Sequence, residues 1–318
     1  QHQGVFDRGV LEYAGVPMSE FRADSCESYG SLNMMKGGLY NATKITTVSP
    51  TYAEEIRTPA YGCGLDGLLR FRGADLVGIL NGVDTDVWNP ETDPMIPANY
   101  SIADMSGKAA CKAALQKKMG LKVSKKTPVF GVVSRLYSQK GLDLLARIAG
   151  DLVSNMDIQI ALLGSGDEWQ QKAFSDLSAW FLGKIGVYIG FSNELSHLVE
   201  AGSDFFLMPS RFEPCGLNQM YSMIYGTLPI VRSTGGLADT VDQYSESTGA
   251  GDGFKFSDAT CEALYNTIGW ACSTWYDRPG DIAKMRQNAM SKDFSWSGSA
   301  EKYALVYKWA AAARSAGI

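Results

Sequence analysis

Between residues 127 and 208 short apolar runs alternate with stretches in which apolar residues recur at three- and four-residue spacing. The runs over 129–133, 158–163, 187–189 and 205–208 read as strands, and 142–153, 168–181 and 194–201 read as the helices between them. Strands with no polar alternation are buried on both faces, which requires a parallel sheet covered by helices on each side. The expected class is therefore α/β with a doubly wound parallel sheet and right-handed crossovers. In such a sheet ligands lie outside the carboxyl ends of the strands.

The strand-end turns are accordingly read together. Arg135 and Lys140 flank the first, SRLYSQKG over 134–141, where an arginine fork and a lysine point charge can straddle a diphosphate or simply sit solvated at the surface. Gly164-Ser165-Gly166 is half of a dinucleotide fingerprint without its third glycine, and no complete fingerprint with a downstream acid occurs, which argues against a dehydrogenase. Phe191 follows a strand-end glycine and either stacks on a nucleobase or packs.

After the strand at 205–208 come Pro209 and Ser210, then Glu213, then Cys215-Gly216-Leu217 opening a segment with Leu217, Met220, Tyr221, Ile224 and Tyr225 at helical spacing. A helix N-terminus there presents free N–H groups to an anion, while the neighbouring carboxylate suits sugar hydroxyls. The pair implies a ligand that is part phosphate and part sugar. Gly226 closes the helix, 228–231 is the next strand, and Thr234-Gly235-Gly236 makes a second turn where backbone approaches a ligand closely. Met220, Tyr221 and Met223 are expected in the core, and His197, in mid-helix, as a structural residue.

Residues 1–44 resolve only to a short helix over 32–42, followed by a strand at 45–48 and a helix started by Ser49-Pro50-Thr51. A strand at 76–80 leads through Asn81-Gly82-Val83-Asp84 into a Pro-, Asp- and Asn-rich connection as far as 106. Helices over 258–275 and 281–291 and an amphipathic helix over 297–313 close the chain. Lys36-Gly37-Gly38-Leu39 invites reading as a phosphate loop, yet its context is helical. A net charge of −5 gives no case for nucleic acid, and no apolar run reaches membrane-spanning length. Six cysteines without a CxxC pair and only two histidines favour free thiols over a disulfide framework or a zinc site.

Taken together, VSRLYSQKG (133–141), SRFEPCGL (210–217), TGGLADTV (234–241), LNGVD (80–84) and DFSW (293–296) resemble the bacterial glycogen synthase and plant starch synthase family across nearly the whole chain. The resemblance implies the two-Rossmann-domain glycosyltransferase architecture. It places the remnant of a first, acceptor-side domain at 1–78, a complete nucleotide-sugar domain at 79–294, and a final helix at 295–318 that returns to the first. It also implies transfer of glucose from ADP-glucose to the nonreducing 4-hydroxyl of an α-1,4-glucan, with retention and with neither metal nor other cofactor. Such an enzyme works in the bacterial cytoplasm or the plastid stroma.

By that resemblance Arg135 and Lys140 hold the donor diphosphate and stabilise the leaving ADP. Glu213 holds the transferred glucose, and the backbone of Cys215, Gly216 and Leu217 donates to phosphate. Phe191 lies against adenine, Asn81 near the sugar, and Thr234 and Gly235 border the ligand. Related retaining transferases carry a second glutamate eight positions after the first; here Tyr221 stands there, as in this family. The family's Lys-x-Gly-Gly-Leu loop and its His-Asn pair have no counterpart, and His2 follows the position of that pair rather than filling it. The expectation is thus a fragment with weak or no synthase activity alone and an exposed apolar surface on its first part. The rival reading is a non-catalytic nucleotide- or glucan-binding paralogue that pairs with a partner.

Overall fold

The computed structural model describes residues 3–316, so His2 lies outside the described residues. The chain divides into two units: residues up to Leu80 with those from Ser297 onward, and Asn81–Trp296.

The first unit contains β1 (Val5–Phe6), α1 (Val10–Tyr13), β2 (Glu27–Ser28), β3 (Ser31–Asn33), α2 (Met34–Asn41), β4 (Ile45–Thr47), α3 (Pro50–Glu55), α4 (Asp66–Phe71) and β5 (Leu76–Gly78). β1, β3 and β2 form an antiparallel sheet, and β4 pairs in parallel with β5. The helix expected over 32–42 begins later, because Leu32 and Asn33 pair with Phe6 and Val5 and the Asn33 side chain caps the amide of Lys36 at 2.9 Å. Ser49 caps α3 through the amide of Tyr52 at 2.9 Å, with Pro50 in the first turn as expected. α4, hidden among glycines in the sequence, buries Leu69 against Ile45, Ala53, Leu65 and Leu76. The Lys36 ammonium donates to the carbonyls of Ala23 and Glu27.

The second unit contains α5 (Ser106–Lys118), β6 (Val129–Leu136), α6 (Leu142–Asn155), β7 (Gln159–Gly166), α7 (Glu168–Trp180), β8 (Ile185–Ile189), α8 (Asn193–Gly202), β9 (Phe205–Met208), α9 (Asn218–Ile224), β10 (Leu228–Arg232), α10 (Gly235–Thr240), β11 (Phe254–Phe256), α11 (Cys261–Asp277) and α12 (Pro279–Met290). Its six strands are all parallel, in the order β11-β10-β9-β6-β7-β8. This is the expected doubly wound sheet. α6 shows what holds it: Leu142, Leu145, Ile148, Leu152 and Val153 fall on one face and are buried. Each such side chain contributes about 1.5–3 kcal/mol by leaving water.

Two expectations fail here. α5 stands where the sequence offered no helix, because its inward face carries Lys108, Lys112 and Gln116 between Cys111 and Leu115. The turn expected at Thr234-Gly235-Gly236 continues into α10. α13 (Trp296–Ser315), which belongs to the first unit from Ser297 onward, is not the amphipathic helix expected: it buries only Val306, while Leu305, Tyr307 and Trp309 are exposed. Val5, Phe6, Met34, Met35 and Phe71 are exposed in the same unit. All six cysteines are free thiols, and no described helix is long and apolar enough to cross a membrane.

The polar face of α5 carries a testable consequence. Lys108 Nζ is fully buried and donates to Thr227 Oγ1 at 2.7 Å and to the carbonyls of Tyr225 and Ala201 at 2.8 and 3.0 Å. Burial pushes its pKa well down, and burial pushes the Glu200 carboxyl well up against the opposing charge of Lys108. A carboxyl whose folded pKa is raised stabilises fully below its unfolded value of 4.5, and loses that contribution as pH climbs to the folded value. Lys108 acts in the opposite sense, so the readout is a difference. Glu200→Gln should gain on wild type by about 1–3 kcal/mol between pH 5 and pH 8 in urea titrations. Parallel pH profiles for the two proteins would refute it.

Candidate active site

The sheet reverses its winding between β6 and β9, and the two strands part there toward their carboxyl ends. β6 pairs with β9 only at Phe130–Phe205 and Gly131–Phe206, then continues to Leu136 paired with β7 alone. The carbonyl of Val133, left without a strand partner on that side, accepts from the Asn218 side-chain amide at 2.9 Å. The loops after β6 and β9 therefore face each other over a switch point.

Lys140 and Glu213, one from each loop, meet at that switch point. Lys140 Nζ stands 2.5 Å from Glu213 Oε2, and the Ser210 hydroxyl donates to the same oxygen at 3.0 Å. Glu213 is only 6% exposed and Ser210 is buried, so the carboxylate is held in one place. Residues 73 apart in sequence thus form one charged unit.

The two loops are fastened together around this pair. Arg211 donates through its backbone to the Gln139 carbonyl at 2.8 Å and through both guanidinium arms to Asp143 at 2.6 and 2.7 Å. That fork holds the Asp143 carboxyl below its ordinary pKa, against a smaller opposing effect of burial. Gly141 adopts φ +66°, and a β-carbon on it would stand 1.9 Å from the carbonyl oxygen of Pro209. Gly235 approaches the Glu213 carbonyl as closely, with φ +44°. The amide of Gly236 donates to that carbonyl at 3.1 Å, which ties α10 to the site.

The other expected residues distribute unevenly. Cys215 is buried, and burial raises its thiol pKa while a backbone hydrogen bond with Asn81 opposes the rise, so these two expected residues touch. Gly216 holds φ +72°, with the Gln219 side chain beneath it donating to the carbonyls of Cys215 and Gly216. Leu217 is partly exposed, and Thr234 is buried at the start of α10. Arg135 is exposed on β6, its guanidinium 5.9 Å from the Tyr137 ring. Phe191 does not pack: it is 86% exposed, after edge strand β8.

The helix expected to open at Cys215-Gly216-Leu217 begins just after them. α9 has seven residues and begins at Asn218, after Leu217, so its dipole is that of a two-turn helix. The cations on the loop after β6 are Lys140, paired with Glu213, and the exposed Arg135. Among the described residues no group of three or more His, Cys, Asp or Glu side chains is arranged to hold a metal ion.

A family model described as starch synthase catalytic domain matches residues 1–71, and one described as glycosyl transferases group 1 matches residues 116–289. The chain belongs to the group 1 glycosyl transferases. The relatives it is similar to bear the names glycogen synthase and starch synthase, the families its motifs resemble. It is 51% identical over 307 residues to glycogen synthase 1 of Geobacter sulfurreducens, a match covering 96% of this chain and 61% of that protein. Against glycogen synthase of Treponema denticola it is 47% identical over 310 residues, covering 96% of this chain and 63% of that one. The catalytic domain of starch synthase IV from Arabidopsis thaliana, bound to ADP and acarbose, superposes with a TM-score of 0.90 at 35% identity, over 97% of this chain and 64% of that chain. Sucrose-phosphate synthase from Thermosynechococcus elongatus, at 19% identity and a TM-score of 0.59 over 86% of this chain and 60% of that one, shows the fold alone. The chain spans about three-fifths of the length of the curated relatives it matches.

Reading residues singly missed what surrounds the site in this glycosyl transferase. Ser210 carries no signal of its own in the sequence beyond standing three residues before Glu213, on the turn after β9. Trp88, from the irregular connection, lies between His197 and Tyr221, with ring centroids 3.9 Å away on both sides and planes within 10°. His197 Nδ1 is 2.8 Å from Asp93 Oδ2, which also accepts from the Tyr225 hydroxyl at 2.6 Å. His197 is thus built into a stack, and Tyr221 is half-buried in it.

Proposed function

We propose that this site transfers glucose from ADP-glucose to the nonreducing 4-hydroxyl of an α-1,4-glucan, with retention at the anomeric carbon. One observation carries the reading: a fixed cation and a fixed carboxylate meet at the switch point, which suits a ligand anionic at one end and hydroxylated at the other. ADP as the nucleotude is supported by the ADP-bound starch synthase of 35% identity.

In this reading the bond from the anomeric carbon to the phosphate oxygen breaks and its electron pair leaves on ADP. The acceptor oxygen bonds to that carbon, and its proton passes to the released diphosphate. Charge grows on the diphosphate as the bond breaks, so Lys140 and Arg135 lower the barrier by being placed beforehand. They supply this charge without a metal or other cofactor. Glu213 holds glucose hydroxyls, the backbone at Cys215, Gly216 and Leu217 meets phosphate, and Thr234, Gly235 and Asn81 border the sugar. Phe191 offers its open face to adenine, in an aqueous setting such as bacterial cytoplasm or plastid stroma.

Thermal unfolding tests the nucleotide assignment. ADP at about one hundred times its dissociation constant adds about 2.7 kcal/mol, which for a unit of this size raises Tm by about 5–10 °C. UDP at the same concentration should raise it by less than half as much. Equal shifts, or none with ADP, would reject the donor. A second reading, a nucleotide-binding module without transfer, draws on the share of the relatives' length that the chain spans, since transfer needs the acceptor positioned and water excluded. Radiolabelled ADP-glucose with glycogen separates the two: label incorporated into glycogen above background supports transfer at this site, and ADP binding with no incorporation supports the module.

A further inference from the structure

Lys140 cannot serve a diphosphate and Glu213 equally well, and the hydrogen bonds around Glu213 suggest how the conflict is resolved. Both of the contacts drawn above, from Lys140 and from Ser210, fall on the single oxygen Oε2. With Lys140 gone, the hydroxyl of Ser210 would still hold that oxygen in place. An ammonium has three donors but one charge, and a diphosphate presents more negative charge than one carboxylate. Ser210 is on the same turn as Glu213, so its bond survives any movement of the other loop.

We propose that Lys140 and Glu213 form a resting ion pair which nucleotide binding exchanges: the ammonium moves from carboxylate to phosphate, and Ser210 keeps the freed carboxylate aimed at the sugar position. Ser210 is then a positioning residue acting through Glu213, and diphosphate arrival is what releases Glu213 for sugar hydroxyls. The proposal rests on the nucleotide-sugar reading of the site.

The exchange has an unusual signature in ADP binding, measured by titration calorimetry on the intact chain. In Glu213→Gln the ammonium has no charged partner to leave, so ADP should bind about threefold to tenfold more tightly than to wild type. In Ser210→Ala the carboxylate loses the hydroxyl that holds Oε2 once Lys140 departs, so ADP should bind about fivefold to twentyfold more weakly. Adding Ser210→Ala to Glu213→Gln should change ADP affinity less than twofold, because the serine acts only through the carboxylate. A purely structural serine would weaken ADP binding alike in both backgrounds, and that result overturns the proposal. So does unchanged or weaker ADP binding in Glu213→Gln, which would mean that Lys140 bridges both groups at once. If wild type binds no ADP at all, the nucleotide reading itself fails and the exchange falls with it.

Discussion

Lys140→Met should abolish most of the stabilisation that ADP confers, leaving a protein that still unfolds cooperatively. The substitution keeps the length and apolar stem of the side chain and removes its charge. Two effects follow, and they separate by experiment. Without ligand, Glu213 retains Ser210 but loses its counter-ion. A fully buried pair broken this way costs about 3–5 kcal/mol, but the Lys140 side chain is 19% exposed, so about 1–3 kcal/mol is expected. With ligand, a charge-assisted contact to phosphate is lost, worth about 1.5–3 kcal/mol, or a tenfold to hundredfold weaker ADP complex. At an ADP concentration that gives wild type about 2.7 kcal/mol, the variant would then gain between about 0.4 and 1.4 kcal/mol. Each protein is compared with its own ligand-free Tm, which removes the first effect from the second. An ADP shift as large as that of wild type would show that Lys140 never meets the diphosphate. Arg135→Met is the instructive partner, because its exposed guanidinium contacts only the Tyr137 ring among the described residues and its loss should leave ligand-free stability nearly unchanged.

The contrast between Lys140 and Arg135 also shows what sequence could and could not reveal. Both sat on a strand-end loop, and that much followed from the alternation of apolar runs with helical spacing. Their pairing with Glu213 did not follow from local pattern, because it depends on β6 lying beside β9, with two strands and three helices between them in the chain. Motif resemblance supplied the association that periodicity could not. α5 escaped because buried lysines erase the hydrophobic period: Lys108 and Lys112 are satisfied by carbonyls and by Asp204, partners from distant parts of the chain. α10 escaped because Gly235 and Gly236 read as a turn, whereas their glycines serve close approach to Glu213 and Cys215. The stack of Trp88 on His197 joins an irregular connection to a helix more than a hundred residues later, with no local trace.

Gly141→Ala should be the most damaging small substitution at the site, because it separates the two loops that the charged pair spans. Two costs add. At φ +66° an alanine carries the left-handed penalty, about 1–2 kcal/mol. Its β-carbon would also stand 1.9 Å from the Pro209 carbonyl oxygen, a clash of backbone with β-carbon that no rotamer change relieves. Either the loop after β9 retreats or α6 shifts at its first turn, where Leu142, Leu144 and Leu145 are buried. The combined expectation is about 3–5 kcal/mol, read as a lower urea midpoint at unchanged slope. Gly120→Ala is the matched control: the same unit, φ +67°, and nothing within 4 Å of the added carbon, so only the conformational penalty applies. The difference between the two variants measures the close approach itself. Because Lys140 directly precedes Gly141 and Ser210 directly follows Pro209, any retreat that relieves the clash also pulls Lys140 from Glu213. Gly141→Ala should therefore lose ADP-dependent stabilisation along with stability, whereas Gly120→Ala keeps it. Equal losses in the two variants would mean that the loops do not meet as closely as 1.9 Å implies.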